Sequence, residues 1–388
     1  MRLRRFPWFV AIFFALLALP ALVQLASPPP TTLGTENRRP APPPTWPRHV
    51  ADVPALPAQV DAWLADRFGL RAPLVRLNTW LHWHLLGEID SPRIVIGRHG
   101  RLFMAAADGA APNTLITVAC GADAPESLVA RSAAALRATI QEVRQAGFDP
   151  TLLLVPTAAR LHAQDLPPAL AATCAGHAPL GDAVVARLGD LPVVYPLAIM
   201  QRAGGIPPHR FHWAGTAPRL VAEDLATRRW GRPLDFTLPF ARKSRGSDLN
   251  PLSPGLGLSD MVEEPQTAAA GVWSCWMTAC AGAAGLPPEA ALALTGYRRP
   301  GTGRLLIVGD SFTDDIVPAF IESFAEVWCV HTNTTQQMSL AARQTLAAWL
   351  QERFRGGRLL LVLHDMGATT PFDRIVADAL TPAGSPHD

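Results

Sequence analysis

Leu305-Leu306-Ile307-Val308-Gly309-Asp310-Ser311-Phe312 is the stretch on which the reading of this chain turns. Four consecutive aliphatic residues without polar alternation are the pattern of a strand covered on both faces. The glycine closes the run, and Asp314 and Asp315 just downstream suit the positive end of a following helix. Ser311 therefore falls on a strand-to-helix turn. In open α/β sheets ligands gather beyond the carboxyl ends of the strands, so a serine there can point its hydroxyl into a crevice. The turn residues Gly309 and Asp310 bring backbone N–H groups near it, as stabilisation of an oxyanion requires. A Gly-Asp-Ser turn alone is common and specifies no chemistry.

Outward from this stretch the same alternation repeats. A helix begins near Asp315, and strand Val327–Val330, a helix over about 337–355 and strand Leu359–Leu363 follow. Upstream, a helix over about 125–145 carries Val129, Ala133, Leu136, Ile140 and Val143 on one face and stops at Gly147. Strand Leu152–Val155, a helix around 183–188, strand Val193–Tyr195 and a helix over 216–229 come next. Alternating strands and helices predict an α/β fold, a parallel sheet flanked by helices. Residues 232–300 show little pattern. Nearer the N-terminus, Ile94-Val95-Ile96 and Leu102-Phe103 flank Gly97–Gly100, which reads as two strands and a tight turn rather than a phosphate loop. Val60, Trp63, Leu64 and Phe68 stand at helical spacing. A second helix from Pro73 to about Gly87 is expected to bury Leu74, Leu77, Leu81 and Leu85.

The N-terminus carries a different signal. Arg2, Arg4 and Arg5 precede a charge-free run from Phe6 to Ala26, about 21 residues, long enough for a bilayer core of roughly 30 Å. It exceeds the usual core of a signal peptide, and Gln24 spoils a small-x-small cleavage site before Ser27. The basic flank favours a cytoplasmic N-terminus. A single transmembrane anchor over 1–27 is the preferred reading, with a cleaved signal as the alternative. Residues 28–58, rich in proline, read as an extended spacer, and 59–378 as the folded domain.

Of the 388 residues, 49% are hydrophobic and 17% charged, so the chain has apolar material for a sizeable core. A net charge of +2 with scattered Lys and Arg gives no phosphate-tracking stripe and argues against nucleic acid. Five cysteines show no zinc spacing, and an odd count leaves at least one thiol unpaired; free cysteines and one or two disulfides both remain open. His82 and His84 lack a third ligand at suitable spacing. No metal and no cofactor is expected. Trp273 and Trp276, around Cys275, suit either sugar stacking or packing.

A serine that attacks an acyl carbon needs a base, usually histidine. Among eleven histidines, His212 stands out because it precedes Trp213 at the entrance to a helix. Several blocks set it in context. Glu36-Asn37-Arg38, Asp66-Arg67-Phe68-Gly69-Leu70-Arg71, Val95-Ile96-Gly97-Arg98-His99-Gly100-Arg101-Leu102-Phe103, Val155-Pro156 with Asp165-Leu166-Pro167, Gly246-Ser247-Asp248-Leu249 and the Gly309–Phe312 turn occur in one order. In that order they resemble the alginate O-acetyltransferase family, SGNH-hydrolase-like proteins of bacterial exopolysaccharide acetylation. The resemblance spans residues 36 to about 330. It implies an SGNH-like domain in the periplasm, held at the inner membrane by a single-pass anchor. It implies a triad in the order Asp, His, Ser, an exported polysaccharide such as alginate or cellulose as substrate, and a membrane-bound O-acyltransferase as acetyl-donor partner.

The chain departs from the family at two points. The motif D-T-H-W has its acid two residues before the histidine, where this chain has Arg210-Phe211-His212-Trp213, and Arg101 stands where the family has tryptophan. Loss of the acid in a well-studied triad lowers turnover about 10⁴-fold. A guanidinium beside the imidazole would further oppose its protonation. Asp365, just past strand Leu359–Leu363, is the first candidate for a replacement acid, ahead of Asp314 and Asp315. In that case Arg210 points away from His212, and Arg210→Asp preserves or raises activity. The arginine is also compatible with a Ser–His pair that works without an acid at reduced rate, or with a non-catalytic glycan-binding or assembly protein. An acetylesterase uses Ser311 and His212 with water as acceptor.

Overall fold

The computed structural model describes residues 8–26, 40–266, 271–369 and 380. Arg2, Arg4, Arg5, residues 28–39 of the spacer with Glu36-Asn37-Arg38, and residues 370–378 of the expected domain lie outside the described residues. In chain order the strands are β1 (Ile94–Ile96), β2 (Leu102–Met104), β3 (Asp149–Val155), β4 (Val193–Val194), β5 (Phe240–Gly246), β6 (Ser259–Pro265), β7 (Trp273–Trp276), β8 (Leu294–Arg298), β9 (Arg304–Gly309), β10 (Glu326–His331) and β11 (Arg358–His364). The chain forms two compact units. One comprises 1–94 and 249–258, the other 95–248 and 259–388.

The larger unit is built on a seven-stranded sheet of order β4-β3-β11-β9-β10-β8-β7. Its first five strands run parallel. β8 pairs antiparallel with β10, and β7 antiparallel with β8. The continuous apolar runs explain the centre: Leu152–Val155, Leu305–Val308 and Leu359–Leu363 are all buried. Each such side chain removed from water contributes about 1.5–3 kcal/mol. Helices Glu126–Gln145 and Leu340–Phe354 cover the sheet with buried stripes, Val129, Ala133, Leu136, Ile140 and Val143 on the first and Leu346 and Leu350 on the second. The second starts at Ser339, whose hydroxyl accepts from Ala342 N at 3.2 Å, a serine N-cap.

β9 lies between β11 and β10, with Gly309 in register with Val362 and His331. From β9 the chain goes first to β10 on one side, then by helix Leu340–Phe354 to β11 on the other. Connections that leave in opposite directions open a crevice at the carboxyl end of β9. Gly309 is glycine for a steric reason. A Cβ there would stand 2.1 Å from Val362 O and 2.7 Å from Thr313 Cγ2.

Three sequence expectations change. The helix after Ser311 is a single turn, Thr313–Ile316, followed by a 3₁₀ turn, Val317–Ala319. The stretch 232–300 holds a β5–β6 hairpin and the strands β7 and β8. β5, Phe-Ala-Arg-Lys-Ser-Arg-Gly, presents charged residues to solvent, so neither face shows an apolar alternation. In the smaller unit, helix Arg71–Leu81 continues into a π-type turn, His82–Leu86, and ends at Gly87 with φ 68°. Its expected buried stripe is exposed: Leu74, Leu77, Leu81 and Leu85 all face solvent. Helical spacing marks an apolar face but not what covers it. Ahead of this helix, Ala41 N donates to Asp66 Oδ2 at 2.7 Å, tying the end of the proline-rich stretch to helix Leu56–Arg67.

Helix Trp8–Ala26 has 19 residues, mean hydropathy 2.5 and no buried residue; it is long and apolar enough to cross a membrane. Cys120–Cys174 and Cys275–Cys280 are disulfides, and Cys329 is a buried free thiol.

Candidate active site

The site lies within the larger unit. Ser311 follows β9 on a turn stapled by Asp310. The Asp310 carboxylate accepts from Phe312 N at 2.9 Å, His364 N at 2.9 Å and His364 Nδ1 at 2.5 Å. Burial opposes ionisation of Asp310, but the His364 charge and these donors hold it below the ordinary carboxylate range. Burial likewise lowers His364, and the Asp310 charge and hydrogen bond overcome it and raise the imidazole. The His364 ring stacks on Phe312 at 5.2 Å between centroids. Gly309 and Asp310 thus shape the turn. The Asp310 N–H is directed to Val362 O at 3.2 Å and is not free for an oxyanion.

His212 reaches the serine from the loop before helix Ala217–Trp230. Trp213, fully buried, donates its indole N–H to Phe312 O at 2.9 Å and so fastens the histidine loop to the serine turn. His212 Nε2 stands 2.7 Å from Ser311 Oγ. Its Nδ1 stands 2.6 Å from Asp248 Oδ2. An ionised Asp248 accepts only, so Nδ1 carries the proton and Nε2 is left to accept from the Ser311 hydroxyl. Asp248 also accepts from Phe211 N at 2.8 Å and His212 N at 3.0 Å. Burial pushes Asp248 up, but the His212 hydrogen bond and charge, Arg210 and the Phe211 amide hold it below its usual range.

The hairpin explains how an acid 36 residues away arrives there. Asp248 stands two residues past β5, and the hairpin strands grip the loop at several points. Asp260 of β6 accepts from His209 N at 3.1 Å and faces His209 Nδ1 at 2.9 Å. Ser247 Oγ donates to His209 O, and Arg210 Nη1 donates to Gly246 O at 2.8 Å. The result is a continuous hydrogen-bonded chain Asp248–His212–Ser311, whose elements can move a proton from a hydroxyl and support the imidazolium that forms.

Solved structures resemble this chain at low identity. A DHHW family protein from Eubacterium siraeum is 16% identical over 65% of this chain and 89% of its own, with a TM-score of 0.47. Bacillus cereus PatB1 is 13% identical over 63% and 91%, with a TM-score of 0.42. The O-acetyltransferase domain of Pseudomonas putida AlgJ is 13% identical over 71% and 92%, with a TM-score of 0.43. The likeness is one of fold. No family model and no curated protein matches the chain.

Asp365 does not reach His212. Its carboxylate accepts from Thr157 N at 3.3 Å and Tyr195 Oη at 3.5 Å. Directly after β11 it is fully buried, and burial pushes it up to about 6 despite His364 and Thr157. The end of a strand fixes a residue's height in the sheet but not the side to which its side chain turns. Asp315 pairs with Arg245 at 3.0 Å, and Asp314 lies 3.6 Å from His331 Nδ1. Arg210 does not point away from the site. Buried, its Nη2 lies 3.4 Å from Asp248 Oδ2 and thus braces the acid that serves His212. Asp248 had one sequence signal, its place in the Gly246–Leu249 block. Nothing in the spacing linked it to His212.

Proposed function

We propose that this protein transfers acetyl groups to hydroxyls of an exported polysaccharide through an acyl-Ser311 intermediate. The observation that carries the proposal is the unbroken chain from Asp248 to Ser311, at 2.6 and 2.7 Å. The family resemblance of the sequence blocks supplies the reaction class.

In the first step the Ser311 hydroxyl passes its proton to His212 Nε2 while Oγ attacks the acetyl carbonyl of the donor. The tetrahedral intermediate collapses, the carbonyl–leaving-group bond breaks, and His212 returns the proton to the departing group. In the second step a sugar hydroxyl gives its proton to His212 and attacks the acyl-serine. The new ester leaves and Ser311 Oγ takes the proton back. Asp248 holds the tautomer and balances the imidazolium in both steps. Arg210 is a positioning residue that fixes Asp248.

An arginine at the motif's acid position favours a non-catalytic glycan-binding or assembly protein only while no other acid serves His212, and in this proposal Asp248 fills that role. An acetylesterase shares every residue named, with water as acceptor. The apolar helix Trp8–Ala26 and two disulfides support an anchored domain in an oxidising compartment, the periplasm, and the resemblance of the sequence blocks supplies a membrane-bound O-acyltransferase as donor partner. A fluorophosphonate probe should label the full-length protein at Ser311 and leave Ser311→Ala and His212→Ala unlabelled. Equal labelling of the Ser311→Ala protein, or none of the wild type, refutes the acyl-serine mechanism. Acetyl appearing on added oligosaccharide rather than as free acetate separates transferase from esterase.

A further inference from the structure

β7 is an edge strand of the seven-stranded sheet, and Trp276 at its end is 49% exposed. An indole left half in water forgoes part of the stabilisation that burial would give. Here the backbone holds it out. Cys275 is bonded to Cys280 across the turn that follows, and Met277, directly after Trp276, takes φ 50°, a left-handed conformation unfavourable for a side chain of that kind. Such strain persists where the surroundings enforce it, and it concentrates at functional sites. Register with Thr295 of β8 completes the fixing.

The place is also specific. β8 runs antiparallel to β10 and β7 to β8, so β7 runs toward the carboxyl edge that carries Ser311, with Trp276 level with Cys329 and Ile307, two residues below that edge. Its ring lies 5.2 Å from that of His331, the residue in register with Gly309. Three strand spacings separate β7 from β9, roughly 14 Å. His331 Nε2 pairs with Thr295 Oγ1 at 2.8 Å, while Asp314, 3.6 Å from Nδ1, keeps a partly exposed carboxylate. An aromatic face beside carboxylate acceptors matches the C–H faces and hydroxyls of a pyranose ring.

We propose that Trp276 is a stacking platform for a neutral pyranose ring of the acceptor polysaccharide, a few sugars from the one acetylated at Ser311. This rests on the polysaccharide reading above and names the substrate class. Neutral sugar follows from the local charge. Burial pushes Asp314 up to about 6, leaving it largely ionised at neutral pH. Arg245, whose charge acts on Asp314, is engaged by Asp315 and Glu264, and Arg298, opposite Trp273 at the other end of β7, by Glu326. A uronate would meet the Asp314 carboxylate, while among the described residues Arg245 and Arg298 are already paired with carboxylates.

The test uses full-length protein in detergent, with p-nitrophenyl acetate as donor and cellohexaose or a mannuronate hexamer as acceptor. Trp276→Ala should raise the KM for cellohexaose about tenfold or more, Trp276→Phe less, and both should leave p-nitrophenyl acetate turnover within about twofold. An unchanged KM overturns the platform. A parallel fall of ester turnover in both variants assigns Trp276 to support of the serine turn and also overturns it. Preference for the mannuronate hexamer overturns the neutral-sugar assignment. Calorimetric binding of cellohexaose to Ser311→Ala, with and without Trp276→Ala, reads the subsite independently of turnover. Binding lost with Trp276 upholds the platform even if acyl transfer fails, and binding absent or unaffected sinks it.

Discussion

Asp248 and Asp365 present the same functional group in different settings, and substitution separates them. Asp248→Asn removes the acceptor of the His212 Nδ1 proton and should lower acyl transfer by about 10²–10⁴-fold, judged by kcat. Asp365→Asn, whose neighbours are Thr157 and Tyr195, should change kcat by less than about tenfold. Rate assays giving the reverse order would return the acid to Asp365. Arg210→Asp should now impair the protein, contrary to the expectation from the motif alone. It sets an introduced carboxylate beside Asp248 and takes the donor from Gly246 O. Breaking such a buried pair costs roughly 3 kcal/mol, readable as a fall in denaturant midpoint along with lower turnover. His364 supplies a pH signature. With its pKa raised above 6.5, its pairing stabilises fully below that value and is lost as pH rises through the raised one. Asp310, depressed below 3.8, contributes above 3.8 and loses its effect as pH falls through the depressed value. The stability gap between wild type and His364→Gln should therefore be widest between about pH 4 and 6.5 and narrow at higher pH. Thermal melts showing a constant gap from about pH 5 to 9 would remove the charged pair from the account.

At the scale of elements, the legible parts were those with an apolar period. β3, β9 and β11 announce themselves as continuous aliphatic runs, and helices Glu126–Gln145 and Leu340–Phe354 came within a few residues of expectation. Leu306, in the middle of β9 and fully buried, tests that centre. Leu306→Ala should cost about 2–5 kcal/mol in chemical denaturation, and a loss below about 1 kcal/mol would contradict its place in the core. β5 to β8 were not legible. Their faces are charged, as in Arg242-Lys243, or too short to show a period, as in Trp273–Trp276. The same gap hid Asp248, because the acid is delivered by the hairpin that went unread. The helix of Leu74 and Leu77 failed in the opposite way, since a clear apolar stripe proved exposed.

For the molecule as a whole, the Cys120–Cys174 disulfide bridges residues 54 apart in sequence. Closing a loop of that length in the unfolded chain is worth about 4 kcal/mol in the chain-entropy picture. The double variant Cys120→Ser, Cys174→Ser should lose stability of that order, with Cys329 unaffected as a buried thiol. A melting temperature equal to that of oxidised wild type would show that the bridge does not form in the working protein.

The amino-acid sequence by itself determined the alternation that builds the sheet, the strand-to-turn setting of Ser311, the pairing of His212 with Trp213, and an N-terminal segment apolar enough to span a bilayer. These are local or periodic properties, written in residue types a few positions apart. Tertiary structure alone decided which carboxylate serves His212, that Arg210 braces that carboxylate, and that Asp365 turns toward Thr157 and Tyr195. Those outcomes depend on hydrogen bonds between residues 36 to 208 positions apart, and such pairings arise only when strand order and hairpin register bring the segments together.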